Sequence, residues 1–188
     1  MAPLLRPEDC CILLIDPVKR NLARTHIDDN DRQALMSRHA LVERAAQTLH
    51  VPKFFAIYRE IEDRREWIAR PCEPAHPRIY VLGNSGSLWA DSGIGVALAQ
   101  IGRACLVLCG FWLDGNVTFA ALNALADGFD VFVLLDACPS SDRFSESPAI
   151  NRLLQAGVVP LTTTQMVREW AEAVPDEHER STLLDLLK

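Results

Sequence analysis

At 188 residues with 49% hydrophobic and 23% charged side chains, the chain has the make-up of a globular domain able to bury a substantial core. Its formal net charge of −6 gives no electrostatic reason to expect nucleic acid or an anionic membrane as partner. The N-terminal residues lack a charged segment followed by an apolar one, and no apolar run reaches membrane-spanning length, so a cytoplasmic protein is expected.

In chain order, Cys10–Ile15 (CCILLI) is a continuous apolar run ending in Asp16 and Pro17, the pattern of a buried parallel strand with a carboxylate at its end. Residues 30–49 place Leu35, Leu41, Val42, Ala45 and Leu49 at helical spacing, which predicts an amphipathic helix. Residues 53–59 form a second strand. Residues 60–77, charged and proline-bearing, read as a long loop or lid with one helical turn around Trp67. Residues 78–82 are a third strand, followed by the turn cluster Gly83-Asn84-Ser85-Gly86-Ser87. A helix is expected over 92–101, ended by Gly102.

Residues 104–137 organise the rest. A strand (105–109), a sharp turn led by Gly110, a helix (117–126) and a second strand (131–136) make a βαβ unit, which demands a parallel sheet. Ligands gather at the carboxyl ends of such strands, so the turn 110–116 locates the site. A helix at 147–156, a strand at 158–161 and a helix at 163–173 follow. The acidic tail 175–188 carries a last helix, read as packing on the domain rather than as a subunit contact. Strand and helix alternate throughout without a linker, so residues 1–188 are expected to form one doubly wound α/β domain.

The absence of GxGxxG and GxxxxGK[ST] removes dinucleotide and P-loop readings, and no cofactor is expected. Six cysteines occur without a CxxC pair. Four of them, Cys10, Cys11, Cys105 and Cys109, lie in or beside predicted strands, so reduced core thiols are the reading. Cys109 and Cys138 fall near strand ends but not at a helix start, so a raised, inert thiol is expected for both.

Gly110, Asp114, Val117, Ala124, Gly128 and Phe129, then Asp136-Ala137-Cys138 and Leu161-Thr162-Thr163-Thr164, follow in an order and spacing that resemble the isochorismatase-like hydrolases. The opening LLIDPV resembles that family's first strand. The resemblance implies a six-stranded parallel sheet in the order 3-2-1-4-5-6, a non-proline cis peptide near residues 113–115 and a homo-oligomer. It also implies a triad of Asp, Lys and nucleophilic Cys. Position by position, the Asp is Asp16, the Cys position holds Asn116, and the Lys position falls on Gly83 or Asn84. Lysine occurs only at 19, 53 and 188, so two of the three groups are replaced. Asn cannot form a thioester, and at a helix start it is a good cap.

Isochorismatases that lack the Cys protonate a vinyl ether from the Asp and let water attack, which keeps a route open for Asp16. They do so with the Lys in place. Here Lys19 or Arg59 could supply positive charge instead, or stand as plain surface cations. The expected pocket comprises Asp16, Gly83, Trp89, Trp112 and Asn116, with the N–H groups of Gly115 and Asn116 as an oxyanion hole. Trp89 and Trp112 serve equally well as aromatic walls or as core packing. Asp114 is expected to accept from backbone N–H groups. Metal-binding relatives carry an Asp-x-His with further His after the second strand. This chain has REIEDRREW there, so no metal is expected. Three functions remain open: a Cys-independent hydrolase acting on a small molecule, a ligand-binding pseudoenzyme, or a partner subunit.

Overall fold

The computed structural model describes residues 4–59, 64–68, 78–81 and 87–188. The Cys10–Ile15 run is strand β1, buried at all six positions because it lies mid-sheet with helices on both faces. It pairs in parallel with β2 (Lys53–Ile57) on one side and β4 (Cys105–Gly110) on the other. β3 (Arg78–Val81), β5 (Asp130–Leu134) and β6 (Val159–Leu161) complete a six-stranded sheet in the order β3-β2-β1-β4-β5-β6, as the resemblance implied.

Between strands run α1 (Lys19–Leu22), α2 (Asp29–Thr48), α3 (Leu88–Asp91), α4 (Ile94–Gln100), α5 (Thr118–Ala126), α6 (Glu146–Ala156), α7 (Thr163–Ala173) and α8 (Glu177–Asp185). α2, α7 and α8 pack together as one layer, and α3 to α6 as the other. The tail helix α8 therefore packs on the domain, anchored by the fully buried Leu183. Trp67 closes a single 3-10 turn at Arg64–Glu66, bridges to Val18 and sits edge-on against Phe55 at 5.6 Å.

Three local departures from the sequence reading have physical causes. The helix expected over 92–101 forms as α4, with Gly93 at φ +73° as its N-cap, but an unexpected short helix, α3, precedes it. β5 ends at Leu134 and a 3-10 turn follows, which swings Asp136 out of the ladder. The cis peptide lies at Phe111–Trp112, upstream of its expected place.

The direction in which strands are added reverses about the β1–β4 pair: β1 continues outward to β2, and β4 to β5 on the other side. The crevice beyond the carboxyl ends of β1 and β4 is therefore the switch point of the sheet. Gly110 makes that crevice possible. At φ +124° it lies so close to β1 that a Cβ there would stand 2.0 Å from the Ile15 carbonyl oxygen.

Candidate active site

Asp16 leaves β1 at φ +46°, a left-handed conformation that Asp tolerates better than most side chains. Its N–H still bonds Ala56 at 2.7 Å, and its carbonyl accepts from Val18 at 2.7 Å, so the chain turns sharply into α1. That turn brings the next residues back over the carboxylate. The buried Asn21 donates to both the Asp16 carbonyl (2.9 Å) and Oδ2 (2.7 Å). Arg20 donates to Oδ1 at 3.3 Å and forms an ion pair with it. From β2, the Tyr58 N–H donates to the same Oδ1 at 3.4 Å. Asp16 itself is only 5% exposed.

The opposite wall comes from the connection between β4 and α5. Its residues Leu113–Val117 form one wide turn with non-helical dihedrals at Gly115. The Leu113 N–H donates to the Pro139 carbonyl at 3.0 Å, and Asp114 accepts from the N–H and hydroxyl of Ser141. Asp114 is thus a backbone brace, its reach extending to the loop after β5. Asn116 stands just ahead of α5, and its Oδ1 accepts from the Tyr58 hydroxyl at 2.8 Å. Tyr58 therefore touches both candidate groups, with its backbone on Asp16 and its phenol on Asn116.

A cavity of about 490 Å³ opens over Asp16, lined also by Arg20, Asn21, Arg24, Tyr58, Arg59 and Trp112. Of the residues expected in the site, Asp16, Arg59 and Trp112 meet here. Asn116 faces a neighbouring space of about 220 Å³ with Trp89 and Phe119. Trp89 is held there by a 2.8 Å bond from its Nε1 to Asp127, and its ring underlies Gly95, so it packs against the helices beside α5. The Gly115 N–H is taken by the Trp112 carbonyl at 3.0 Å, so an oxyanion hole there would rest on the Asn116 N–H. Gly83 and Asn84 lie outside the described residues.

Sequence reasoning missed Arg20, Asn21, Arg24 and Tyr58. Arg20, rather than its exposed neighbour Lys19, supplies the cation beside Asp16. The signal was available: Asp16 and Arg20 are four apart, a spacing that pairs side chains once the chain turns helically.

None of the described thiols competes with Asp16. Cys10, Cys11, Cys109 and Cys138 are buried, and burial raises the pKa of each; that of Cys11 is pushed up to about 12. All therefore remain thiols at neutral pH, with little nucleophilic character. Behind the site, the fully buried His39 stacks on Phe111 at 6.0 Å, and burial drives its pKa down to about 4 against a weaker opposing effect of the Ala137 backbone. Two other hollows lie away from Asp16. One of about 520 Å³ sits at the opposite, amino end of the strands, and one of about 630 Å³ lies over α2 and the start of α7.

The fold is that of a three-layer α/β domain whose crevice lies at the switch point of a parallel sheet, with an Asp at the end of the first strand. Residues 10–165 match the Isochorismatase domain, and the chain belongs to that family. Over 101 residues it is 32% identical to the probable hydrolase YcaC of Escherichia coli K12, a match spanning 52% of this chain and 48% of that one. In structure it resembles YcaC from Pseudomonas aeruginosa, solved with hexane-2,5-diol and covalent acrylamide, with a TM-score of 0.77 and 20% identity over 99% of this chain and 92% of that one. The E. coli YcaC structure, an octameric hydrolase of unknown specificity, superposes with a TM-score of 0.72 at 20% identity over the whole of both chains.

Proposed function

We propose that this protein is a Cys-independent hydrolase of a small molecule, with Asp16 as the proton-transfer group. The observation that carries the reading is the environment of Asp16. Its carboxylate is buried at the switch point, fixed from three sides by Asn21, Arg20 and the Tyr58 N–H, and faces a cavity large enough for a metabolite. Asn116 occupies the place of the family's nucleophile and forms no covalent intermediate, so water is the attacking group. Asp16 takes a proton from that water as its oxygen bonds to the substrate. The proton is then delivered to the leaving atom as its bond breaks, and the carboxylate is regenerated. Arg20 balances charge where the family uses Lys, and the Asn116 amide, anchored by Tyr58, orients substrate or water.

The test is turnover of isochorismate and of a panel of small amides and carbamoyl compounds by the purified protein, with Asp16→Asn beside it. The expected result is activity that disappears in Asp16→Asn and persists in every single Cys→Ser variant. Activity that survives Asp16→Asn, or that iodoacetamide abolishes in the native protein, would overturn the reading. Saturable ligand stabilisation without turnover would assign the protein instead to the binding reading. By likeness to the octameric YcaC we also infer a homo-oligomer, which light scattering behind gel filtration would read as a multiple of the 20.9 kDa chain.

A further inference from the structure

We infer that the molecule bound over Asp16 carries an anionic group, a carboxylate or a phosphate, which Arg24 and Arg59 receive. The inference rests on the reading of this cavity as the substrate site, and adds the substrate's chemical class. Three guanidiniums, of Arg20, Arg24 and Arg59, line a cavity in which Asp16 is the single carboxylate among the described residues. Arg20 is committed to that carboxylate. Neither Arg24 nor Arg59 has an ion-pair partner among the described residues, so the positive charge is in excess of what Asp16 neutralises.

The excess does not reflect a generally basic surface, because the chain carries 25 acidic against 19 basic residues. It is assembled by the fold from two separate segments. Arg20 and Arg24 lie one helical spacing apart after the Asp16 turn, and Arg59 follows the end of β2. The guanidinium fork suits a planar carboxylate or a phosphate better than a neutral carbonyl. Trp112 supplies a flat apolar wall beside these groups, suited to a ring or a planar body attached to the anion. In a field of this sign Asp16 opposes the ligand only weakly, since Arg20 already offsets most of its charge.

Titration calorimetry with three probes of similar size tests the inference: benzoate, phenyl phosphate and neutral benzamide. At least one anion is expected to bind about tenfold or more tightly than benzamide, with affinity falling as sodium chloride is raised. A preference for benzoate identifies a carboxylate, and one for phenyl phosphate a phosphate. Arg24→Gln and Arg59→Gln should each weaken the preferred anion by about tenfold. Both residues are exposed, so the variants are expected to fold, and circular dichroism checks this. Arg152→Gln, on the exposed face of α6, should bind as the unaltered protein does. Equal binding of all three probes, no binding of any, or wild-type affinity in both cavity variants would overturn the inference.

Asp16→Asn separates this inference from the hydrolase reading. With the negative charge removed and Arg20 released, the anion should bind several-fold more tightly although proton transfer is lost. Anion binding that behaves this way in a protein without turnover sinks the hydrolase reading and leaves the anion site standing. Asp16-dependent turnover of neutral amides with no anion binding does the reverse.

Discussion

Two aspartates end two strands of this sheet, and the proposed function puts them to different uses. Asp16 follows β1 and Asp136 follows β5. Each accepts from a backbone N–H and a neighbouring polar side chain and is ion-paired with an arginine. For Asp16 these are Tyr58, Asn21 and Arg20; for Asp136 they are the Thr163 N–H at 2.8 Å, its hydroxyl at 2.9 Å and Arg38 at 3.6 Å. The bonds to Asp136 join the end of β5 to the first turn of α7, where a carboxylate also opposes the positive helix end. Those to Asp16 come from a four-residue turn and a strand end, and beyond them lie two more arginines with no described carboxylate partner. A strand-end carboxylate is therefore uninformative by itself. What supports Asp16 as the group at work in the proposed function is its burial at the switch point beneath the cavity that Arg24 and Arg59 also line.

The largest expected effect falls on the working side. Asp16→Asn keeps the size and the left-handed backbone tolerance of the residue but cannot take up a proton. Turnover should fall by about 10²–10⁴-fold, while the thermal midpoint changes little. Steady-state kinetics on whichever substrate the panel identifies would check this, and equal kinetics in the two proteins would abolish the distinction between the aspartates.

Next in size is an acid effect on the structural side. His39 follows Arg38, which grips Asp136, and is buried against Phe111. Its folded pKa of about 4 lies below the ordinary value of 6.5, so the folded state binds fewer protons than the unfolded chain between these limits. Its contribution is full above pH 6.5 and is lost as the pH falls through 6.5 towards 4. The loss is of order 3 kcal/mol when the full interval has been crossed. Urea unfolding across this pH range should show that decline, and His39→Leu should flatten it. A His39→Leu protein with the wild-type pH dependence would place the acid sensitivity elsewhere.

Much of this architecture could be read from the chain. The apolar runs of β1, β4 and β5 are continuous because those strands are covered on both faces, and that pattern survives any detail of packing. The start of α7 was legible because Thr162 and Gln165 form a complete capping box. The site was legible where it depends on strand ends, hence Asp16, Arg59 and Trp112. It was obscure where it depends on turns. The left-handed conformation of Asp16 returns Arg20, Asn21 and Arg24 to the cavity, and only the four-residue spacing of Asp16 and Arg20 hints at it in the sequence. Tyr58 becomes visible only through register: Ile15 pairs with Ala56, which carries the next residues of β2 past the Asp16 carboxylate. Trp89 fell to the neighbouring space because it lies in α3, a short helix ahead of Gly93 that the sequence reading did not expect.

A smaller effect is expected from Asp136→Asn. The substitution keeps one acceptor oxygen for Thr163 but removes the charge that Arg38 and the α7 terminus face. The cost should be about 1–2 kcal/mol of stability, measured by chemical unfolding, with kinetics unchanged. A drop in turnover comparable to that of Asp16→Asn would mean that the carboxyl edge of β5 takes part in the reaction.

The smallest effect tests the comparison at its finest level. Thr163 is to Asp136 what Asn21 is to Asp16, a polar side chain that fixes the orientation of a carboxylate. Thr163→Val replaces the hydroxyl by a methyl of nearly the same size. It deletes one hydrogen bond to Asp136 and leaves the N–H bond from the same residue in place. Loss of one such bond should cost about 1 kcal/mol, and because Thr163 lies outside the cavity over Asp16, turnover and anion affinity should not move. Asn21→Leu offers the matching change at the other strand, freeing Asp16 Oδ2 inside the cavity wall. Its effect should appear in the rate or its pH profile beyond any loss of stability. If both variants changed stability alone, orientation of Asp16 would be irrelevant to its chemistry; if both changed the rate, the two strand ends would be a single site.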